Sequence, residues 1–435
     1  MGVYSKLLLY TVSLSLILVL VYTVYFIKYN DVLQQLTGPA TTVKVSLGLQ
    51  TQDQLTINQD TQQQPLLTTN GYISYQPPGN GWNNQRIVIE MALLFAKILN
   101  RTLIVHPISS HSLGEKMERE LPPNNRFGYI TYNKMAASTL MPLSNVLDLK
   151  LMSKLVPVTE INSSHSQFIQ NYFSQDTKWR HICHSLGYGY WLDRRPLNQA
   201  EVGLLTKQIY TSRKDWRDKC KEEQAEFVLQ HEKPIIRYVS DLANDSSDVI
   251  YFIEGCLFGI ELRFMEYRKA LQAREWIKEY VHYKSTYHQL ADAVRTKLGS
   301  YNALHVRRIK HISGSLTAGH WILEMLNNDF TRDTPIYVAT DETNLKWFEP
   351  LTEAGFKLYF ASNFTDFIDL SHVHKRMRKD VMGMYEQIVC IRAELFLPSP
   401  HSTFSNYIMR ERGETDSKNG FNYILHHASW AGDNI

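Results

Sequence analysis

The sequence is poor in the features that most directly name a chemistry. It has four cysteines in 435 residues, and contains no Cys-x-x-Cys pair, no His-Glu-x-x-His and no Asp-x-Asp. Without these motifs no metal site can be argued from the residues. Charge of one sign is scarce too. Lys and Arg number 46 against 43 Asp and Glu, a formal charge of +3, too even for an electrostatically driven nucleic-acid binder. There is no internal repeat at the roughly 20 to 50 residue periods of solenoids. A mean hydropathy of −0.29 excludes a polytopic membrane protein. With 44% hydrophobic and 20% charged residues, the chain is globular over most of its length.

One long hydrophobic run is present. Leu7 to Ile27 is 21 uncharged residues, which as a helix rising about 1.5 Å per residue matches a hydrocarbon core of roughly 30 Å. A cleaved signal peptide is the competing reading. Its apolar region is normally about 7 to 15 residues and ends at a small-residue cleavage site, which Lys28-Tyr-Asn-Asp31 does not supply. The run is therefore read as an anchor, residues 7–27, after a cytosolic tail, residues 1–6. Lys6 and Lys28 flank it evenly, so the flanking charges leave its orientation open. Sequons at Asn100, Asn162, Asn244 and Asn363 are compatible with a lumenal domain. The four cysteines allow three pairings. Cys183 with Cys220 is the favoured pair, whereas Cys256 and Cys390 sit in apolar runs and read as buried thiols. No KDEL-like tail follows Asp433, so retrieval to the endoplasmic reticulum is not indicated.

Residues 28–68 are rich in Gln and Thr, lack hydrophobic periodicity, and read as a disordered stem. From Gly71 the pattern changes to short apolar strands alternating with helices, as in an α/β protein with mostly parallel sheets. The spacing predicts a strand over Tyr72–Gln76, a helix over Asn84–Leu99 that is apolar nearly all round, and a strand over Leu103–His106. A second such region has strands at Asn302–Val306, Ile336–Ala339, Lys357–Phe360 and Glu394–Leu397. Its helices fall near Leu316–Leu326, Glu342–Ala354 and Asp380–Arg392. Ser285–Leu298 reads as a helix leading into it. Residues 69–298 and 299–435 are thus expected to be two Rossmann-like domains. Segment 207–231 is charge-dense and reads as a solvated helix face, with acceptor docking as the alternative.

Four motifs carry chemistry. Pro77 to Arg86 joins a strand to a helix N-terminus, where Gly79 and Gly81 allow close approach and the helix dipole favours a phosphate. A nicotinamide fingerprint fails here, because its third glycine falls on Asn84 and the next strand ends in His106 rather than an acid. His305-Val-Arg-Arg308 lies at the carboxyl end of a parallel strand. Two arginines there suit a diphosphate, with a structural Arg–carboxylate pair as the plainer reading. Thr340 and Asp341 end the next strand, placed to cap a helix or reach nucleotide hydroxyls. Ser402, Thr403 and Phe404 open a helix and offer a phosphate nest, with an ordinary N-cap as the alternative.

Gly79-Asn-Gly-Trp-Asn-Asn-Gln-Arg86 resembles the G-x-G-[WF]-N-N-Q-R signature of the GDP-fucose protein O-fucosyltransferase family. His305 to Arg308 resembles its H-x-R-R element, Tyr337 to Glu342 its Y-x-A-T-D-E element, and Ser402 to Ser405 its S-T-F-S element. The order matches over about Gly71 to Gly413. The resemblance implies a GT-B fold, two Rossmann-like domains facing a cleft, and inverting transfer from GDP-fucose to a protein or glycan hydroxyl. It implies no metal, no cofactor beyond the donor substrate and no nucleic-acid partner. The setting it implies is a Golgi or other secretory-pathway membrane, in type II orientation. By position, Arg307 and Asn83 would be catalytic, with Arg307 neutralising the leaving phosphate. Gly79, Asn80, Gly81, His305, Arg307, Arg308, Asp341, Ser402, Thr403 and Phe404 would bind the donor.

The chain departs from the family pattern twice. Lys310 replaces the Asp of H-x-R-R-x-D. No carboxylate occupies the glycine loop, and Ile309 to Met325 holds only Glu324 as an acid. No conventional general base is identified, so the departing phosphate or a residue brought by the acceptor is left to take the proton. A degenerate binding member and a transferase for another deoxysugar such as rhamnose are the competing functions.

The anchor reading makes one direct prediction. The full-length protein is expected to stay in the membrane pellet after alkaline carbonate extraction, and a variant lacking residues 1–27 to be released. Release of both would remove the anchor.

Overall fold

The computed structural model describes residues 69–78, 81–110, 140–161, 176–182, 189–203, 235–252, 257, 261–308, 319–399, 402–413 and 429–430. The chain divides into two compact units, residues 1–65 and 66–435. The first, with the predicted anchor Leu7–Ile27 and most of the stem, lies outside the described residues. Among the described residues, no helix is long and apolar enough to cross a membrane. Gly79, Asn80, Asn162, Cys183, Cys220, Cys256, Lys310 and segment 207–231 also fall outside them.

Within the second unit, β1 (Tyr72–Tyr75) leads through α1 (Trp82–Leu99) to β2 (Thr102–Val105). Strands β1 and β2 pair in parallel, with Tyr72 opposite Thr102. This is the strand–helix–strand unit read from the sequence, except that the helix starts two residues earlier and β2 stops before His106. Helix α1 buries Ile87, Val88, Ile89, Met91, Leu93, Leu94 and Phe95, on every side, as its apolar sequence demands. Gly71 starts the unit at φ 108°, where a Cβ would lie 2.6 Å from the Asp248 carbonyl oxygen, so only glycine fits.

An antiparallel pair, β3 (Ile108–Ser109) and β4 (Leu140–Met141), comes next. Then follow β5 (Val158–Glu160), β6 (Trp179–Ile182), β7 (Gly189–Leu192), β8 (Ile235–Tyr238), β9 (Val249–Phe252) and β10 (Glu261–Phe264). Helices α2 (Tyr267–Tyr280) and α3 (Gln289–Leu298) lead to β11 (Asn302–Val306) and α4 (Gly319–Asp329). The chain continues through β12 (Ile336–Thr340), β13 (Leu358–Tyr359), α5 (Arg378–Ile391), β14 (Phe396–Leu397), α6 (Thr403–Arg412) and β15 (Ser429–Trp430).

Among the described residues, besides the antiparallel pair, three sheets form, each parallel throughout. They run in the orders β5-β2-β1-β9-β6, β15-β10-β7-β8 and β13-β12-β11-β14. The fold is therefore α/β with parallel sheets. The sequence reading did not place the middle sheet, to which the last strand returns from beyond α6. It also expected one helix over Glu342–Ala354. A 3-10 turn, Leu345–Phe348, and a short helix, Glu349–Glu353, stand there instead. Asn344 caps the first by accepting from the Lys346 N–H, and Pro350 lies in the opening turn of the second, which suits an imino acid.

A buried ion network ties α1 to α6. Glu90, 0% exposed, accepts from Arg86 Nε at 2.8 Å and from both terminal nitrogens of Arg410 at 2.7 and 2.9 Å. Arg86 Nη2 donates to the Val281 carbonyl at 2.9 Å, and its guanidinium lies 3.9 Å from the Tyr407 ring centroid. The last residue of the W-N-N-Q-R signature thus lies under the helix that opens with S-T-F-S. Elsewhere Cys390 is a free buried thiol, as expected from its apolar run.

Burial also isolates Glu386 on α5, pushing its carboxyl up to about 8, while the Tyr337 hydroxyl donates to it at 3.2 Å. The folded protein keeps this proton over a range in which the unfolded chain, titrating near its ordinary value of about 4.3, releases it. Stability therefore falls as pH rises through that window. Glu386→Gln is expected to gain up to a few kcal/mol at pH 8 and almost nothing near pH 4.5 in urea denaturation. An equal gain at both pH values would contradict the assignment.

Candidate active site

Strand β11 is buried along its length, and its carboxyl end delivers His305, Arg307 and Arg308. Here, just past the strand end, ligands bind in open parallel sheets. The Arg307 N–H donates to Ser399 Oγ at 3.1 Å, and the Ser399 N–H to Ser405 Oγ at 2.9 Å. Ser405 Oγ lies 2.7 Å from His305 Nδ1. His305 is buried, and its ring lies under Phe404 at 4.3 Å between centroids. The histidine, proposed from sequence as a ligand group, thus also anchors the aromatic wall. One hydroxyl, that of Ser405, joins the H-x-R-R and S-T-F-S elements.

The two arginines meet carboxylates from the end of β12. Asp341 Oδ1 accepts from the Arg308 N–H at 2.8 Å, and its Oδ2 stands 3.6 Å from Arg307 Nε. Arg308 Nη1 pairs with Glu342 Oε2 at 3.1 Å, and its guanidinium covers the Trp347 ring at 4.4 Å. The Asn344 N–H, ahead of Arg308, holds the Glu342 carboxyl below its ordinary range. Both arginine side chains remain about a third exposed, 33% and 31%, so they are held by carboxylates and still reachable by an anion. Thr340 does not cap a helix. Its hydroxyl donates to the Val306 carbonyl at 2.8 Å and accepts from the Glu342 N–H at 3.0 Å.

Two helix starts are linked to this strand end, α6 directly through Phe404 and Ser405 and α1 through Gln387. Ser402 is the N-cap of α6, accepting from the Ser405 N–H, and Thr403 and Phe404 lie half-buried in its first turn. Helix α1 begins after Gly81 with no side-chain cap and no acid in its first turn, which leaves backbone N–H groups for an anion. Gln387 of α5 joins the two starts. Its Nε2 donates to Asn83 Oδ1 at 2.7 Å and approaches the Phe404 carbonyl at 3.5 Å. Gln85 fixes the neighbouring loop through paired bonds with the Ser109 backbone, at 2.8 and 3.0 Å. Asn84 Oδ1 is buried with no hydrogen-bond partner among the described residues.

The structure thus brings together Gly81, Asn83, His305, Arg307, Arg308, Asp341, Ser402, Thr403 and Phe404, while Gly79 and Asn80 lie outside the described residues. The sequence reading missed Glu342, Ser399, Ser405, Gln387 and Tyr283 as supports. The one signal for Gln387 is a polar pair, Glu386-Gln387, interrupting the otherwise apolar stretch from Val381 to Ile391. Among the described residues, no group of three His, Cys, Asp or Glu side chains could hold a metal ion. A cavity of about 480 Å³, lined by Met141, Asn145, Lys284, Tyr287, His372 and Tyr385 among others, meets α5 through Val381 and Tyr385. Gln387 projects from the opposite side of that helix, so the cavity is distinct from the arginine cluster.

A parallel α/β protein with paired arginines at a strand end and two helix starts beside them belongs to the class that receives anionic ligands. The profile of the family described as "GDP-fucose protein O-fucosyltransferase" matches residues 72–313 and 317–415, most of the chain, and the protein belongs to that family. It is a glycosyltransferase. Among solved structures it is similar to POFUT1 in complex with GDP, at 14% identity and a TM-score of 0.44, over 84% of this chain and 99% of that one. It is also similar to fucosyltransferase NodZ from Bradyrhizobium, at 13% identity and a TM-score of 0.39, over 78% and 93%. No curated protein sequence matches the chain.

The shared hydroxyl gives a test. Ser405→Ala removes a buried partner from both His305 and the Ser399 N–H, which is expected to cost about 1–3 kcal/mol in urea denaturation. It is also expected to weaken GDP binding, because Phe404 and Arg307 lose a common anchor. Unchanged GDP affinity would show that the anchor does not shape the site.

Proposed function

We propose that the protein transfers fucose from GDP-fucose to a hydroxyl of a protein Ser/Thr or a glycan, with inversion and without a metal. The observation that carries this reading is the pair of partly exposed arginines at the end of β11, next to the start of α6. In the proposed GT-B arrangement, residues 69–298 form the acceptor-side domain and residues 299–435 the nucleotide-sugar domain. The C1–O bond to the β-phosphate breaks, and its electron pair leaves with GDP. Arg307, the Ser402 and Thr403 hydroxyls and the α6 backbone N–H groups stabilise that charge. Arg308, held by Glu342, supports it, while His305, Asp341 and Phe404 hold the nucleoside portion. The family resemblance assigns Gly79, Asn80, Gly81 and Asn83 to the phosphates and sugar. The acceptor oxygen attacks the opposite face of the sugar, and its proton passes to the departing phosphate or to a group brought by the acceptor.

The proposed setting is the lumen of the Golgi or another secretory-pathway compartment, with the chain anchored through Leu7 to Ile27. Exposure of Asn100, Asn244 and Asn363 supports a glycosylated lumenal domain. The absence of a conventional base favours a second reading, a degenerate member that binds nucleotide sugar without turnover.

Incubation with GDP-fucose and a panel of peptide and glycan acceptors, read by mass spectrometry, separates these readings. The wild type is expected to give a fucosylated product, and Arg307→Ala to lose transfer while staying folded. Full transfer by Arg307→Ala would sink the assignment, and GDP-fucose binding without product or hydrolysis would favour the binding module. Thermal protection by other nucleotide sugars, among them a rhamnose donor, would identify a different deoxysugar.

A further inference from the structure

Asn83 lies at the end of a chain of hydrogen bonds with one possible direction. The Trp82 indole Nε1–H donates to Tyr283 Oη at 2.7 Å. An indole nitrogen is a donor only, so Tyr283 is an acceptor there and its own proton must go elsewhere. It goes to Gln387 Oε1. The Gln387 amide is then oriented, and its Nε2 donates to Asn83 Oδ1 at 2.7 Å. Every member except Asn83 is buried. Asn83 itself is half-buried, beside the helix start and the Phe404 backbone. With its carbonyl oxygen turned to Gln387, its Nδ2 carries no hydrogen bond among the described residues.

We infer that this directional relay makes Asn83 present its amide N–H groups, rather than its carbonyl oxygen, to the diphosphate of the donor, with Gln387 as the positioning residue that fixes the choice. The inference rests on the nucleotide-sugar reading above and adds a residue that acts through another. Asn83 then acts on the donor as a neutral hydrogen-bond donor. The indole of Trp82 sets the polarity from the far end of the chain.

Gln387→Glu reverses the last link. A glutamate still accepts from Tyr283 but cannot donate to Asn83, so Asn83 turns its Nδ2 inward and faces the phosphates with a carbonyl oxygen. With the full-length protein and GDP as the titrant, calorimetry is expected to show roughly 10- to 100-fold weaker binding, the worth of a hydrogen bond to a charged group. The KM for GDP-fucose should rise in step, with a much smaller change in kcat. The distinguishing measurement is made in an Asn83→Ala background. If Gln387 acts through Asn83, the Gln387→Glu penalty disappears there.

A penalty that persists without Asn83 would assign it to the new negative charge or to the lost approach to the Phe404 carbonyl, and either would overturn the relay, as would wild-type affinity in Gln387→Glu. Should Gln387→Glu not fold, Tyr283→Phe keeps the ring over Arg86, deletes the hydroxyl that orients Gln387, and carries the same test with a smaller loss expected. Failure of the wild type to bind GDP would overturn the nucleotide-sugar reading and the relay together, which is a different result from a silent Gln387 in a protein that binds.

Discussion

The contact on which the rest of the site depends is the buried carboxylate of Glu90 between Arg86 and Arg410. A lone carboxylate at 0% exposure would be costly, and so would either arginine without it. The three charges are tolerable only together, so α1 and α6 have one favoured placement. Breaking a buried pair by removing one partner typically costs about 3–5 kcal/mol, against a total stability of roughly 5–15 kcal/mol for a domain. The network therefore weighs heavily on the relative position of the two helices, and both start at the candidate site.

From that placement the site follows by short steps. Helix α1 carries Trp82 and Asn83 in its first turn, and α6 carries Thr403 and Phe404 in its first turn. Gln387 of α5 bridges them through Asn83 Oδ1 and the Phe404 carbonyl. Phe404 rests on His305, and Ser405 ties His305 to the loop that holds the Arg307 backbone. The arginines are oriented by Asp341 and Glu342 from the neighbouring strand. Lys310 replaces the acid that the family pattern places after the arginines, and Arg308 is held here by Glu342 of the Y-x-A-T-D-E element instead.

Much of this was legible in the sequence where the signal is local. The run Ile87 to Leu99 is apolar nearly all round, broken only by Glu90 and Lys97, and must be largely buried. Asn302 to Val306 and Ile336 to Thr340 are short β-rich stretches followed by polar residues, and they became adjacent parallel strands whose ends carry the arginines and their carboxylates. What escaped depends on contacts distant in sequence. Tyr283 and Gln387 are 104 residues apart, and Glu90 and Arg410 are 320 apart, and no spacing rule joins such pairs. The middle sheet was missed for a similar reason, since its strands of two to four residues are separated by long intervening segments. The helix expected over Glu342 to Ala354 failed locally. Asn344 and Pro350 each begin a new turn there, and a pattern of apolar residues alone does not register them.

The central claim is that strand end, helix starts and relay form one diphosphate site. A crystal structure of the protein with GDP bound tests it most directly. The account predicts the phosphates between Arg307, the first turn of α6 and the Nδ2 of Asn83, with Gln387 still donating to Asn83 Oδ1. Nucleotide bound instead in the separate cavity beside Tyr287 and His372, or phosphates facing the Asn83 carbonyl oxygen, would contradict it.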